Sequence, residues 1–499
     1  MQVAWSDPAL IQAERKVSFD LFRRSVMLFL ICTANLEKSV VFPFSRRQFL
    51  HGSLAAGTLG LGSLQRNVSA QQPGERPRQD DGVKVLHPRM RVPLSFIVDD
   101  STCLVNLNRF AIPQFGQAFK GERYHHDWRK MPDEIPDDFV RTFGNWCGEQ
   151  GIKGKYSIVP YPACVGRVDR VLPGWTQKQL NESLKLVRTL MMPNWDIHPE
   201  MVTHTIVIDT RTGHPYRNPG LEQMENWRWA DGKSVDQLAD YMQYALTILK
   251  NVGLPCEGVT TPGGFGNRVL PELAQATLQS VKDVFSAEIP HYFRHVISRG
   301  DESVEPRVEY VSGLDGDDPQ CVVSIIACTG DWTGGWDCSS RGDVDLFINE
   351  EMTSGRMVEV IERGEPAIML CHWTGIYFNG EQVGFHIFQE AVRRIHARFT
   401  NIQWMKLSEI ARYWAARKLT SIQKQPRGIL LDAPFACPAF TLRVDADTVA
   451  QPILQSNQRL LKPRKVASSS LLKPGCWMEE KNQLVLCFDL EKGKSQFQW

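Results

Sequence analysis

The stretch that most constrains this chain is residues 93–106, PLSFIVDDSTCLVN. Residues 94–98 form a short, nearly unbroken apolar run, the pattern of a strand buried on both faces. The run stops at two adjacent acids, Asp99 and Asp100, and a polar turn follows. A parallel strand that ends in paired carboxylates sets them at the carboxyl rim of its sheet, where α/β folds place ligands and catalysis. Successive side chains on an extended segment point opposite ways, so one acid can hold a metal while its neighbour handles protons. A pair of acids can also simply cap the next helix, so the reading depends on what lies downstream.

Strand-like and helix-like segments alternate across residues 92–419. Strands are expected at 94–98, 156–160, 205–209, 258–261, 322–327, 367–370 and 403–405. Helices are expected at 136–150, 176–190, 235–252, 271–285, 343–363, 384–399 and 407–418. Repetition of β then α predicts a parallel sheet, and about seven or eight strands in roughly 330 residues favour closure into a barrel. From Ser421 the helical periodicity vanishes, and short strands joined by turns predict a small antiparallel sandwich-like accessory domain over 421–499.

The amino-terminal part is of another kind. Ser45-Arg46-Arg47-Gln48-Phe49-Leu50 precedes a Gly-rich apolar stretch and Val68-Ser69-Ala70, the layout of a twin-arginine export signal over 45–70. The stretch is too short and too rich in glycine to span a membrane. The signal predicts a periplasmic or extracellular protein with no stable membrane span once it is removed. Residues 1–44 form an extension ahead of it, which a mis-assigned start would explain, and 71–90 reads as a polar linker. A formal net charge of +1 gives no electrostatic case for nucleic acid. Of the 12 Cys none lies in a CxxC pair, which argues against a structural zinc knuckle. Cys321 with Cys328, and Cys476 with Cys487, are open to bridging or to remaining buried thiols.

Four further stretches fall at predicted strand ends. Residues 195–204, WDIHPEMVTH, pack His198, His204, Asp196 and Glu200 together, the ligand types of a borderline divalent metal such as zinc. Thr260-Thr261-Pro262-Gly263-Gly264 is a Gly-rich loop that lets backbone approach a ligand. Asp331-Trp332 puts an acid and an aromatic ring at another strand terminus, and Leu370-Cys371-His372 ends a strand in a histidine suited to proton transfer. Each stretch alone also fits an ordinary turn or a packed side chain.

In this order the pieces resemble the polysaccharide deacetylase (NodB-like) superfamily of carbohydrate esterases. The resemblance covers about residues 92–418 and implies a distorted (β/α)7-type barrel. It implies that Asp99 is the base and that Asp100, His198 and His204 hold a divalent metal, expected to be Zn2+. His372 becomes the general acid, and Asp331, Trp332, Pro262 and Gly263 line the substrate site. The implied activity is removal of acetyl groups from a carbohydrate polymer. The chain departs from the pattern in three places. Five residues separate His198 from His204 where three are usual, and Glu200 stands at the usual spacing instead. Thr260 or Thr261 replaces an Arg that orients the base, and Ser101 replaces a Gly after the acids. Two other readings use the same barrel: a metal-independent glycoside hydrolase drawing its carboxylate pair from Asp99, Glu200, Asp209 and Asp331, and a non-catalytic carbohydrate-binding protein.

Overall fold

A computed structural model describes residues 76–121, 124–445, 451–456, 459–481 and 483–499. The expected extension at 1–44 and export signal at 45–70 lie outside the described residues. All eight side chains of Val92–Asp99 are buried, as a strand of Val, Phe and Ile with no exposed face requires. Seven strands carry the first part of the fold: β1 (Val92–Asp99), β2 (Gly154–Ser157), β3 (Trp195–His198), β4 (Gly258–Thr260), β5 (His291–Val296), β6 (Gln320–Ala327) and β7 (Ala367–His372). One parallel sheet runs β7-β1-β2-β3, and the strand Ile402–Trp404 adds to the start of β1. A second runs β4-β5-β6 in parallel, with Arg307–Ser312 antiparallel at its edge. Single parallel bridges, Glu200 to Thr260 and Asp331 to Leu370, join the two sheets.

Each strand feeds both sides of the sheet. Phe96 and Val98 pack outward beneath helices, with Phe96 stacked on Phe388 of the helix Val383–Arg398 at 3.8 Å between centroids. Ile97 and Leu370 point the other way, into a core shared with the helix Leu407–Leu419. Strand packing is close at Gly154, where a Cβ would stand 1.9 Å from the Phe96 carbonyl oxygen. The helices begin where local chemistry predicts. Thr176 and Ser234 close capping boxes with Gln179 and Gln237, which satisfies orphan N–H groups of the first turn.

The carboxyl-terminal part is two five-stranded, mainly antiparallel sheets. Leu442, Leu486 and Phe488 from one face Ile429, Leu431 and Phe497 from the other, with Phe488 and Phe497 edge to face at 4.7 Å. This core is continuous with the helix Leu407–Leu419 and with Ile97 and Leu370, so the two parts of the fold share buried surface.

Several expectations need correction. The expected linker contains a strand, Val83–Val85, which pairs with Cys437–Asp445. The strand expected at 205–209 is at Trp195–His198 instead, and only Ile208–Asp209 of the former is extended. Inward-facing Asp196 and His198 masked that strand's period. The expected helix over 343–363 is broken: a short turn at Val344–Leu346 and a helix at Arg356–Glu362 flank Gly355, which has φ 111°. The helix Leu107–Ala118 and the strand β5 were not expected, the first because Pro113 interrupts it and the second because it is rich in His and Arg. Every described cysteine is a free thiol. Among the described residues no helix is long and apolar enough to cross a membrane.

Candidate active site

The end of β1 delivers its two acids to different partners. Asp99 faces inward and accepts a hydrogen bond from the ammonium of Lys155 on β2. Both side chains are buried. The same ammonium donates to Ser157 Oγ at 2.7 Å and to the Val98 carbonyl at 3.3 Å, so all three of its protons have acceptors. The polar atoms of the pair are therefore satisfied within the protein.

Asp100 turns the opposite way through a left-handed backbone, φ 60°. Its carboxylate Oδ1 lies 2.9 Å from His204 Nε2. Its own N–H donates to Glu200 Oε2 at 2.8 Å, and Glu200 Oε1 stands 3.7 Å from His204 Nδ1. Asp100, Glu200 and His204 each offer a ligand atom, all within 4.8 Å of one another. Burial and the neighbouring Asp99 and Asp100 carboxylates push Glu200 up to about 7. Burial opposes ionisation of His204, but Asp100 and Glu200 outweigh it and raise the imidazole to about 9.

These three residues fit a divalent cation. Asp100 Oδ1 and His204 Nδ1 are buried yet make no aligned hydrogen bond. Two carboxylates and one imidazole are a donor set for an ion of intermediate softness.

The loop that brings His204 in is fixed from behind by Glu225. This buried carboxylate accepts from the N–H groups of Val202 (3.1 Å), Thr203 (3.0 Å) and His204 (2.6 Å), and from the Tyr241 hydroxyl at 2.5 Å. Four donors on one carboxylate hold His204 at φ 64°, a backbone region that a β-carbon disfavours.

On the other side of β1, His372 ends β7 in register with Asp99. Its Nδ1 lies 2.7 Å from Asp331 Oδ2. A carboxylate only accepts, so Nδ1 carries the proton and Nε2 is left for the site. Burial opposes protonation of His372, but Asp331 and Asp100 raise its pKa overall. Aromatic rings from the helix Leu107–Ala118 and from separate loops gather near His204. Phe115 lies 6.5 Å from it, and Trp227, Tyr124 and Trp336 stand 5.4, 5.5 and 6.0 Å from Phe115.

Set against the expectations, Asp99, Asp100, His204, Asp331 and His372 gather at the carboxyl ends of β1 and β7 and the loops beside them. His198 does not join Asp100 and His204. It ends β3 facing inward, where its Nε2 meets His291 Nε2 at 3.0 Å, and Glu200 takes its place in the cluster. The reason is register: His198 is the last residue of the strand, whereas Glu200 lies past its end and turns back to Asp100. Trp332 packs edge-on against Phe347 at 5.1 Å. After Pro262, Gly263 is pressed against the Asn226 backbone, where a Cβ would meet the carbonyl oxygen at 2.7 Å, so it is a packing position and not an open cradle. Asp209 binds the N–H groups of Arg211 and Thr212 in its own turn, apart from the cluster. Lys155, Glu225 and His291 were missed. Only Lys155 left a signal, being at the inward parity of a buried strand two residues before Ser157.

No protein-family profile matches the chain, and no curated protein does. Among solved structures it is similar to one described as a glycoside hydrolase, at 9% identity and TM-score 0.28, covering 73% of this chain and 88% of that one. Another is the glycoside hydrolase family 30 subfamily 8 xylanase Xyn30A from Clostridium acetobutylicum, at 7% identity and TM-score 0.24, covering 85% and 96%. At those scores the likenesses fix neither fold nor activity.

Proposed function

We propose that this chain is an exported, metal-dependent hydrolase that removes acetyl groups from a carbohydrate polymer, on a pinched barrel of seven parallel strands. The two bridges between the sheets support the barrel. The observation that carries the activity is the convergence of Asp100, Glu200 and His204 beside two polar pairs, Asp99–Lys155 and Asp331–His372. A divalent ion held by the first three would supply Lewis acidity, polarising an acyl carbonyl and acidifying water. Asp99 accepts the proton of the attacking water. Lys155 aims its carboxylate, the task for which the family it resembles uses an arginine. His372 gives the proton of Nε2 to the departing amine or hydroxyl, and Asp331 fixes its tautomer and steadies the imidazolium. The test is acetate release from acetylated chitin-type and xylan-type polymers by the purified chain, with and without chelator. Release that stops on chelation and returns with zinc is expected. Release indifferent to metal would overturn the mechanism.

One observation favours a second reading. Glu200 is a buried carboxylic acid whose pKa lies well above that of its neighbour Asp100, and such an imbalance is how glycoside hydrolases separate acid from base. New reducing ends without acetate, insensitive to chelator, would select it.

A further inference from the structure

A second cluster of donor atoms lies inside the strands and takes no part in the mechanism above. His198 on β3 and His291 on β5 are both fully buried, and their Nε2 atoms face each other at 3.0 Å. His198 Nδ1 lies 3.3 Å from Thr260 Oγ1, and the buried Nδ1 of His291 has no hydrogen-bond partner. With the ring protons on Nδ1, each Nε2 is a lone pair. Two lone pairs at that distance repel unless a positive centre lies between them. Two nitrogens each about 2.0–2.1 Å from one ion span such a separation. Asp196, also facing inward on β3, brings a carboxylate oxygen within 4.8 Å of a ring nitrogen of each histidine. Its oxygens already accept from Ser408 N at 2.6 Å and Ser408 Oγ at 2.9 Å, which orients the carboxylate and leaves each oxygen a further lone pair. The space beside His198 is kept open by Gly258, where a Cβ would stand 2.7 Å from Nε2.

We propose that Asp196, His198 and His291 form a second divalent-cation site, of zinc type, which ties β3 to β5 and is separate from the Asp100–Glu200–His204 cluster. Its role is structural: both imidazoles are buried, and the ion substitutes for packing between two strands from different sheets. The site does not depend on the proposed reaction.

The test is zinc content of the full chain, stripped with chelator, reloaded with zinc and dialysed. Wild type is expected to hold about two ions per chain, Asp100→Asn about one, His291→Gln about one, and the double variant none. A wild type with one ion that His291→Gln keeps and Asp100→Asn loses overturns this site and leaves the catalytic one standing. One ion kept by Asp100→Asn and lost by His291→Gln supports this site and overturns the catalytic reading. No ion in wild type overturns both. Because a buried imidazole variant can fail to fold, calorimetric zinc titration of stripped Asp100→Asn gives a second measurement. One remaining site is expected, and none would overturn the proposal.

Discussion

The parallel-strand region and the carboxyl-terminal sheets are built of similar strands but bury different things. Among the described residues, β1, β2 and β7 end in Asp99, Ser157 and His372, and Lys155 is completely enclosed between them. The carboxyl-terminal sheets bury Leu, Ile, Val and Phe, with a few hydroxyls and thiols. A charge in a low-dielectric interior is costly unless paired, so the first region gives up stability that the second does not. The difference sets the candidate site apart: the expensive groups collect at one end of the parallel strands.

The sharpest way to break this contrast is to remove the proton donor. His372→Ala is expected to lower acetate release by about 10²–10⁴-fold, with some loss of stability because Asp331 loses its partner. Lys155→Met should show the reverse emphasis, losing about 3–5 kcal/mol of stability because Asp99 is left charged and alone. Denaturant unfolding of Lys155→Met and of Lys155→Met with Asp99→Asn checks this, and the double variant should recover most of the loss. In the carboxyl-terminal sheets, Leu486→Ala should cost about 2–5 kcal/mol through an unfilled cavity, while the folded enzyme keeps its turnover. A fall in turnover equal to that of His372→Ala would erase the division between the regions.

The smallest effect concerns an acid without a partner. Glu309, on the edge strand Arg307–Ser312, is buried with neither oxygen hydrogen-bonded. Burial raises it from 4.5 to about 7, against the opposing pull of Arg307 and Arg76. Between those values the folded chain keeps a proton that the unfolded chain has lost, so stability falls as pH rises through that window. The decline should be on the order of 1–3 kcal/mol, and Glu309→Gln should flatten it in thermal melts taken across the range.

How much of this was readable beforehand follows from what each residue advertises. Asp99, Asp100 and His372 stand out because they end apolar runs, and an apolar run marks its own boundary. The choice between His198 and Glu200 was not readable, since it turns on where β3 stops, and the polar residues inside β3 hide its period. Lys155 left only its parity as a signal: its hydropathy points to solvent, and its enclosure is made tolerable by Asp99 across the sheet and by Ser157 and the Val98 carbonyl. Glu225 binds its loop through backbone N–H groups, which leave no mark on residue type. In the carboxyl-terminal sheets the alternation at 440–444 was visible, but the partnership with residues 83–85 joins segments with no local relation.

That last pairing bears on how the chain is made. Val83 lies opposite Val444, so an edge contributed before β1 has nothing to dock on until the ribosome has nearly finished the chain. The same late sheets line one side of the interior around Ile97 and Leu370, so that face of the parallel strands is covered only after synthesis of the far end. Folding is then dominated by distant contacts and is slow, and a chain interrupted early exposes the inner face of its first sheet to aggregation.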